Sequence, residues 1–486
     1  MIKTLIRKYK QLSDPLKAGL WFTICTVIQR AIALLTTPIF TRLLSPDQYG
    51  VYSVYQAWFS IIQIFATLNL FYGVFNNGMT KYADDRNNFT SAMQGLSTTI
   101  TILLFVLYIC CRKWVNSLIG LESIYLYAMF VELLFVPAYN FWMAEQRYDY
   151  KYRTMAIITI AMAFISPCIG VISVSLSTYH KAEARVISYI FVQAVVGIYF
   201  YIYNFRKSSH FYNRGYWSFA LRFNIPLIPH YLSTTLLNQV DRIMIGNMVG
   251  IGEAAIYSIA YTIATMMNIV TQAISNTFTP YIYKELKEGK IQNIRKNSNS
   301  LVVFVFFSCL LAMLFGPEIV KIFASEEYHD AIWVIPPVAA SVFFVFLYSM
   351  FGAVEFYFEK TKFVMIASSG AAVLNVALNY FFIQKYGYFA AGYTTLVCYV
   401  IYAFMHWLFY NHIRQNNGAG TVFDSAIILF LSVLLVIAMI VVTVVYNSIF
   451  IRYALTLIIC LLLFTNRRRI IGAIKAKGEI YEESSN

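Results

Sequence analysis

The chain has 486 residues, of which 59% are hydrophobic and only 12% charged, and its mean hydropathy is +0.62. A soluble chain of this length needs about a quarter of its residues charged to coat its surface, so this composition excludes a soluble enzyme and implies that most of the surface faces lipid. The formal net charge of +14 belongs to anionic headgroups and to membrane topology, and no nucleic-acid partner is expected from it.

A membrane helix needs about 20 mostly apolar residues, and fourteen such runs follow one another along the chain. Their approximate bounds are 18–41, 49–73, 91–111, 122–142, 154–177, 184–204, 223–246, 254–280, 298–323, 331–354, 361–383, 388–410, 422–446 and 449–465. Lys3, Arg7, Lys8, Lys10 and Lys17 precede the first run, which has no small-residue cleavage site and reads as a retained span rather than a cleaved signal. The first run carries Arg30, and the seventh carries Pro226, Pro229 and His230. The last two runs are separated by a few residues around Tyr446 and read as a tight hairpin. A polar connection, KELKEGKIQNIRK at 284–296, lies near mid-chain. The tail from Arg467 mixes basic and acidic residues and reads as a short surface helix that frays.

Alternate sides of these runs differ in charge. With the N-terminus inside, 27 of the 37 Lys and Arg residues fall on the inner side and 9 on the outer, with Arg30 inside the first run. The bias predicts that both termini are cytoplasmic. GVYSV at Gly50–Val54 corresponds to AIYSI at Ala255–Ile259, an offset of 205 residues or six runs. Six intervening helices preserve orientation, so the expected architecture is two parallel repeats. These are a six-helix lobe over residues 1–205 and another over 206–415, followed by a final helix pair and tail over 416–486. A substrate path is expected between the lobes.

Charges inside apolar runs or at their ends are the candidate functional groups, because one at mid-helix costs about 2.5–3.5 kcal/mol on insertion scales. Arg30 and Arg242 are candidates to line a cavity that holds an anion. The alternative is an acid on another helix for Arg30 and a local Asp241–Arg242 pair. Asp241, Glu132 and Glu355 are candidate sites for a coupling ion, H+ or Na+; the alternative is a hydrogen-bonded acid facing the bundle. Arg42 reads as an interfacial anchor. Pro38, Pro137, Pro167, Pro226, Pro229, Pro336 and Pro337 are expected to interrupt helices. The polar run NIVTQAISN at 268–276 is expected to bond between helices or line a wet cavity. The seven cysteines have no metal spacing and read as small apolar residues, and no HExxH, Walker A or dinucleotide fingerprint is present. No cofactor and no metal are expected.

Several segments resemble one family. TRLLSPDQYGVYS at 41–53, FWMAEQRYDYKYR at 141–153, LRFNIPLIPHYLS at 221–233 and DRIMIGNMVGIGEAAIYSIAY at 241–261 look like the Wzx-type O-antigen and capsule flippases. These are the polysaccharide transporters of the MOP (multidrug/oligosaccharidyl-lipid/polysaccharide) superfamily. The resemblance spans nearly the whole chain and is most specific over 241–261. It implies an all-α integral membrane fold with MATE-like lobes and alternating access in the bacterial cytoplasmic membrane. The implied substrate is an oligosaccharide linked to undecaprenyl pyrophosphate, with cavity arginines attracting the pyrophosphate. By position Arg30 fits that role best and Arg242 less well. Membrane lipids are implied partners, together with a polysaccharide polymerase and a chain-length regulator. A cation-coupled multidrug exporter of the same fold is the near rival; a membrane-embedded polymerase or glycosyltransferase is the rival of another class. The polymerase is expected to show a large outer loop and the glycosyltransferase an acidic metal motif, and this sequence has neither.

Overall fold

In the computed structural model, which describes residues 13–418 and 420–465, nineteen α-helices and three short 3-10 segments account for the described chain. The basic residues before position 13 and the tail from Arg467 lie outside the described residues. The first helices are α1 (Asp14–Leu43), α2 (Pro46–Thr67), α3 (Gly73–Lys81), α4 (Arg86–Cys110), α5 (Arg112–Ile119), α6 (Ser123–Tyr148), α7 (Tyr152–Leu176) and α8 (Lys181–Lys207). After them come α9 (Arg214–Asn224), α10 (Ile228–Met248), α11 (Ile251–Thr265), α12 (Met267–Lys287), α13 (Ile291–Leu314) and α14 (Gly316–Phe323). The last are α15 (Ile335–Tyr357), α16 (Thr361–Tyr386), α17 (Phe389–Asn416), α18 (Ser425–Val445) and α19 (Ile449–Thr465). Each of the fourteen apolar runs overlaps one long helix, and the runs at 254–280 and 298–323 each take in two helices in succession, α11–α12 and α13–α14. Eleven segments among the described residues are long and apolar enough to cross a membrane by composition alone.

The ends of the helices follow from local chemistry. Ser45, Pro46 and Gln48 build a capping box at the start of α2. Ser45 Oγ accepts from the Gln48 amide at 3.4 Å, and Gln48 Oε1 accepts from the Ser45 amide at 3.1 Å. Pro46 stands where a helix has no backbone donor to lose. The second run stops early: Leu68 and Asn69 adopt positive φ of 48° and 50°, so the chain turns and restarts as α3. Asn224 Nδ2 donates to the Leu68 carbonyl at 2.6 Å and holds this turn. Pro38, Pro137 and Pro167 do sit inside helices. The other expected interruptions are not interruptions. Pro336 and Pro337 occupy the first turn of α15, while Pro226 and Pro229 belong to the 3-10 turn and first turn that start α10. A proline there removes no intrahelical bond.

The chain divides into two compact units, one through Ala255 and one from Ile256. In the first, α1 packs on α7, α7 and α6 on α8, and α2 on α4, α8 and α10. Membrane helices gain little from hydrophobic contact with each other and rely on close packing and polar ties. Gln94 Nε2 donates to the Tyr201 carbonyl at 3.1 Å, while Asn204 Nδ2 donates to Gln94 Oε1 at 2.8 Å and to the Ala138 carbonyl at 3.1 Å, joining α4, α6 and α8. The short α9 is capped by Asn213 and anchored by Trp217, whose indole donates to the Ala92 carbonyl at 2.9 Å. Tyr216 beside it donates to Asp85.

In the second unit α15 is the hub, packed by α12, α13, α17 and α18, with α16 on α17. The mid-chain polar segment is a turn between two long helices. Gly289 at φ +70° reverses the chain, and Asn293 Nδ2 donates to Glu285 Oε2 at 2.8 Å. Within the polar run 268–276, Ser275 meets Ser349 of α15 at 3.1 Å, a bond between helices. The repeat reappears in the helix starts. α2 begins at Pro46 and α11 at Ile251, and α1 ends at Leu43 and α10 at Met248, each pair at the 205-residue offset of the sequence match.

Candidate functional site

Arg30 lies midway along α1, on an exposed face, with no ion pair to it among the described residues. Arg242, near the end of α10, is half-buried; its Nη1 donates to Gln239 Oε1 at 2.6 Å and to the Asn238 carbonyl at 2.9 Å. Its neighbour Asp241 is buried at 1% exposure. Glu132 on α6 is buried at 1% exposure and accepts from Tyr55 of α2, whose hydroxyl is 2.7 Å from Oε2. Glu355, the last of the five candidates, belongs to the second unit. It is fully buried, with His406 Nδ1 of α17 at 2.9 and 3.0 Å from its two oxygens.

Around Glu132 the first unit holds a polar layer that the sequence reading did not pick out. Tyr52 and Tyr189 meet edge to face at 5.7 Å, and both lie within electrostatic reach of Glu132 and of Arg185 on α8. Arg185 is buried with its guanidinium carbon 3.9 Å from the Phe40 ring centroid and 4.0 Å from that of Tyr52. A cation held between two aromatic faces is stabilised by their quadrupoles, by about 2 kcal/mol or more where water is excluded. Its Nε and Nη1, and Nε2 of Gln56, nevertheless find no hydrogen-bond partner among the described residues. Tyr49 of α2 lies within electrostatic reach of both Arg185 and Arg242. The α2 helix thus carries Tyr49, Tyr52, Tyr55 and Gln56 toward the charged groups of α6, α8 and α10.

No local feature of the chain signals this arrangement. Arg185 stands next to the start of an apolar run, where it counts as one more interfacial charge, and only tertiary packing buries it between Phe40 and Tyr52. His406 is likewise one histidine among six until Glu355 is seen against it. Arg42 is exposed and turns back on its own helix, with Nη1 2.8 Å from the Pro38 carbonyl. No group of three or more metal-ligating side chains occurs among the described residues.

A family model described as "Polysaccharide biosynthesis protein" matches residues 16–286, and a second, MatE, matches residues 226–381. Over 426 residues the chain is 24% identical to the "Putative O-antigen transporter" of Shigella flexneri, covering 81% of this chain and 97% of that protein. It is 23% identical over 367 residues to "Lsg locus putative protein 1" of Haemophilus influenzae, covering 72% and 86% respectively. Among solved structures, the lipid II flippase MurJ in an inward closed conformation superposes with a TM-score of 0.68 at 14% identity, covering 93% of this chain and all of that one. An inward-facing multidrug resistance MATE transporter of the MOP superfamily follows with a TM-score of 0.59 at 12% identity, covering 80% and 95%. At such identities the structural likeness establishes the fold.

Proposed function

We propose, from the premise that this chain belongs to the polysaccharide biosynthesis protein family, that it flips oligosaccharide linked to undecaprenyl pyrophosphate across the cytoplasmic membrane. The chain is a multi-pass membrane transporter of the MOP fold. The finer reading of its substrate is carried by Arg30. An arginine halfway along an apolar, exposed helix costs about 2.5–3.5 kcal/mol in lipid, and that cost is avoided where the side chain meets water or an anion. A pyrophosphate needs donors that replace its hydration shell, and guanidinium supplies a permanently charged planar fork. Arg30 is the principal pyrophosphate ligand in this reading. Arg242, steadied by Gln239 and Asn238, is a second.

Transport proceeds by alternating access of two six-helix lobes, residues 1–205 and 206–415. Both termini lie in the cytoplasm, in keeping with the distribution of Lys and Arg. With the interior negative, an anion moving outward gains about 2.3 kcal/mol per charge per 100 mV. The flipped repeat units then pass to a polymerase and a chain-length regulator. The cation-coupled exporter of the same fold remains the second reading. It is favoured by the buried carboxylates Glu132, Asp241 and Glu355, which suit an exchanged cation.

Deletion of the gene, with complementation by wild type, Arg30→Ala or Arg30→Lys, tests the assignment. Lipid-linked repeat units are expected to collect on the cytoplasmic leaflet and to stay there with Arg30→Ala at normal expression. Unchanged surface polysaccharide together with lost resistance to cationic drugs would replace the flippase with the exporter.

A further inference from the structure

The connection between α4 and α6 carries opposite charges that none of the candidate roles uses. It contains α5 (Arg112–Ile119), a short helix between two long spans whose two sides differ in chemistry. At helical spacing Trp114, Val115, Leu118 and Ile119 share one side, while Arg112, Lys113, Asn116 and Ser117 share the other. Trp114 is 68% exposed and Leu118 48%. The far end of α5 is tied down. The Trp58 indole of α2 donates to the Ile119 carbonyl at 3.1 Å, and Asn247 Nδ2 of α10 donates to the Leu118 carbonyl at 3.0 Å. An amphipathic helix fixed at the end of a span, with an exposed tryptophan, suits the headgroup level of a bilayer.

An open cavity of about 570 Å³ is lined by Arg112, Asn116, Glu122, Ser123, Ile124 and Tyr127. Arg112 is set in place within it. Its Nε donates to Ser123 Oγ at 2.7 Å, and its guanidinium carbon lies 5.5 Å from the Tyr127 ring centroid. The Asn116 amide meets the same Ser123 hydroxyl at 2.7 Å. This arrangement uses Nε and leaves the two Nη groups for a further acceptor. Glu122 stands at the N-cap position of α6, but its side chain makes no cap bond. Among the described residues neither Arg112 nor Glu122 forms an ion pair. One cavity therefore presents a cation and an anion that do not join each other.

A phosphate matches the planar fork of an arginine, and a primary ammonium offers three donors to a carboxylate. A ligand that carries both groups on a short linker satisfies Arg112 and Glu122 together. One that carries only a phosphate is drawn to Arg112 and repelled by Glu122. The neighbouring exposed side chains are apolar. Ile124 is 46% exposed, and Leu103 and Leu107 of α4 are 64% and 59% exposed, which suits acyl chains more than water.

We propose that this cavity binds the headgroup of a zwitterionic phospholipid, a phosphoethanolamine on two acyl chains, with its phosphate on Arg112 and its ammonium on Glu122. The bound lipid joins α5 to the start of α6 and is a resident ligand, distinct from the transported one. The inference goes beyond the flippase reading and holds whichever substrate is flipped.

The test titrates the full chain, delipidated in a non-ionic detergent, and reads binding by calorimetry. The probes are dihexanoyl phosphatidylethanolamine, phosphatidylcholine and phosphatidylglycerol, with free phosphoethanolamine as a fourth. The three lipids share their chains, so the ratios of their affinities report the headgroup. The ethanolamine lipid is expected to bind about tenfold more tightly than the other two, because the choline nitrogen has no hydrogen to donate and the glycerol headgroup has no cation. Free phosphoethanolamine is expected to bind more weakly than its lipid. Glu122→Gln, which removes no side-chain bond seen among the described residues, should erase the preference over phosphatidylglycerol. Arg112→Gln should weaken all three lipids by about tenfold; should that variant fail to fold, Glu122→Gln decides alone. Equal binding of the three lipids to wild type, or none, overturns the proposal, and so does a Glu122→Gln variant that keeps the ethanolamine preference. Free phosphoethanolamine binding as tightly as the lipid overturns the assignment to a phospholipid.

Discussion

Removing Arg452 should loosen the final helical hairpin from the rest of the second unit. Arg452, near the start of α19, has a side chain 4% exposed, and it meets Glu318 of α14, 27% exposed. Nη1 donates to Glu318 Oε2 at 2.7 Å and to the Leu314 carbonyl at 2.9 Å, and Nη2 donates to Oε1 at 2.8 Å. Tyr453 donates to the same carboxylate at 3.1 Å, and Tyr446 to the Met313 carbonyl at 2.6 Å. Breaking a buried ion pair from one side costs about 3–5 kcal/mol. Water can reach the partly exposed Glu318 but must penetrate to replace the bond at Leu314, so the lower end, about 3 kcal/mol, is expected. Arg452→Met keeps the stem that packs beside Tyr446 and Tyr453 and removes only the charge and donors.

At about 2 °C or more per kcal/mol, the midpoint of thermal unfolding in detergent should fall by about 6 °C. Glu318→Gln should cost a similar amount, because it strands the buried guanidinium, and the double variant should cost less than the sum of the two. A shift below about 1 °C for Arg452→Met, with fully additive effects, would refute the claim that this clamp secures the hairpin.

Three further outcomes follow from the geometry. A Cβ on Gly50 would lie 2.0 Å from the Ile251 carbonyl oxygen; Gly50→Ala should therefore cost about 1–3 kcal/mol through overpacking and lower the yield of monodisperse protein. Gly19→Ala, with nothing within 4 Å, serves as the control. Tyr55→Phe removes the 2.7 Å bond to buried Glu132 and should destabilise by about 1.5–3 kcal/mol, visible as a lower unfolding midpoint that Glu132→Gln partly restores in the double variant. Arg30→Ala should weaken retention of an undecaprenyl-pyrophosphate lipid by roughly 10- to 100-fold, the equivalent of one charge-assisted bond, with Arg30→Lys intermediate in a binding titration.

The pattern of lipid-sized apolar runs was legible because the bilayer imposes it on every span: backbone groups must be satisfied within the helix, so length and hydropathy appear directly in the chain. The boundaries were less so. The second run reads as apolar through position 73, yet Leu68 and Asn69 turn the chain, held by Asn224 from more than 150 residues away. The prolines at 336 and 337 read as breaks because composition does not distinguish the first turn of a helix from its middle.

The candidate charges divide in the same way. Arg30, Glu132, Asp241, Arg242 and Glu355 could be found in sequence because a charge within an apolar run or at its edge stands out against its neighbours. Which partner each one meets could not. Tyr55 is 77 residues from Glu132, and His406 is 51 from Glu355. By itself the sequence determined the helical membrane class, the succession of apolar runs, the 205-residue repeat and the positions where charge interrupts those runs, since these are properties of a chain crossing a slab of hydrocarbon. Tertiary structure decided that Arg185 lies between two aromatic rings, that Glu355 holds an imidazole and that Arg452 clamps a hairpin, because hydrogen bonds and ring contacts depend on angströms of separation between residues that sequence order leaves far apart.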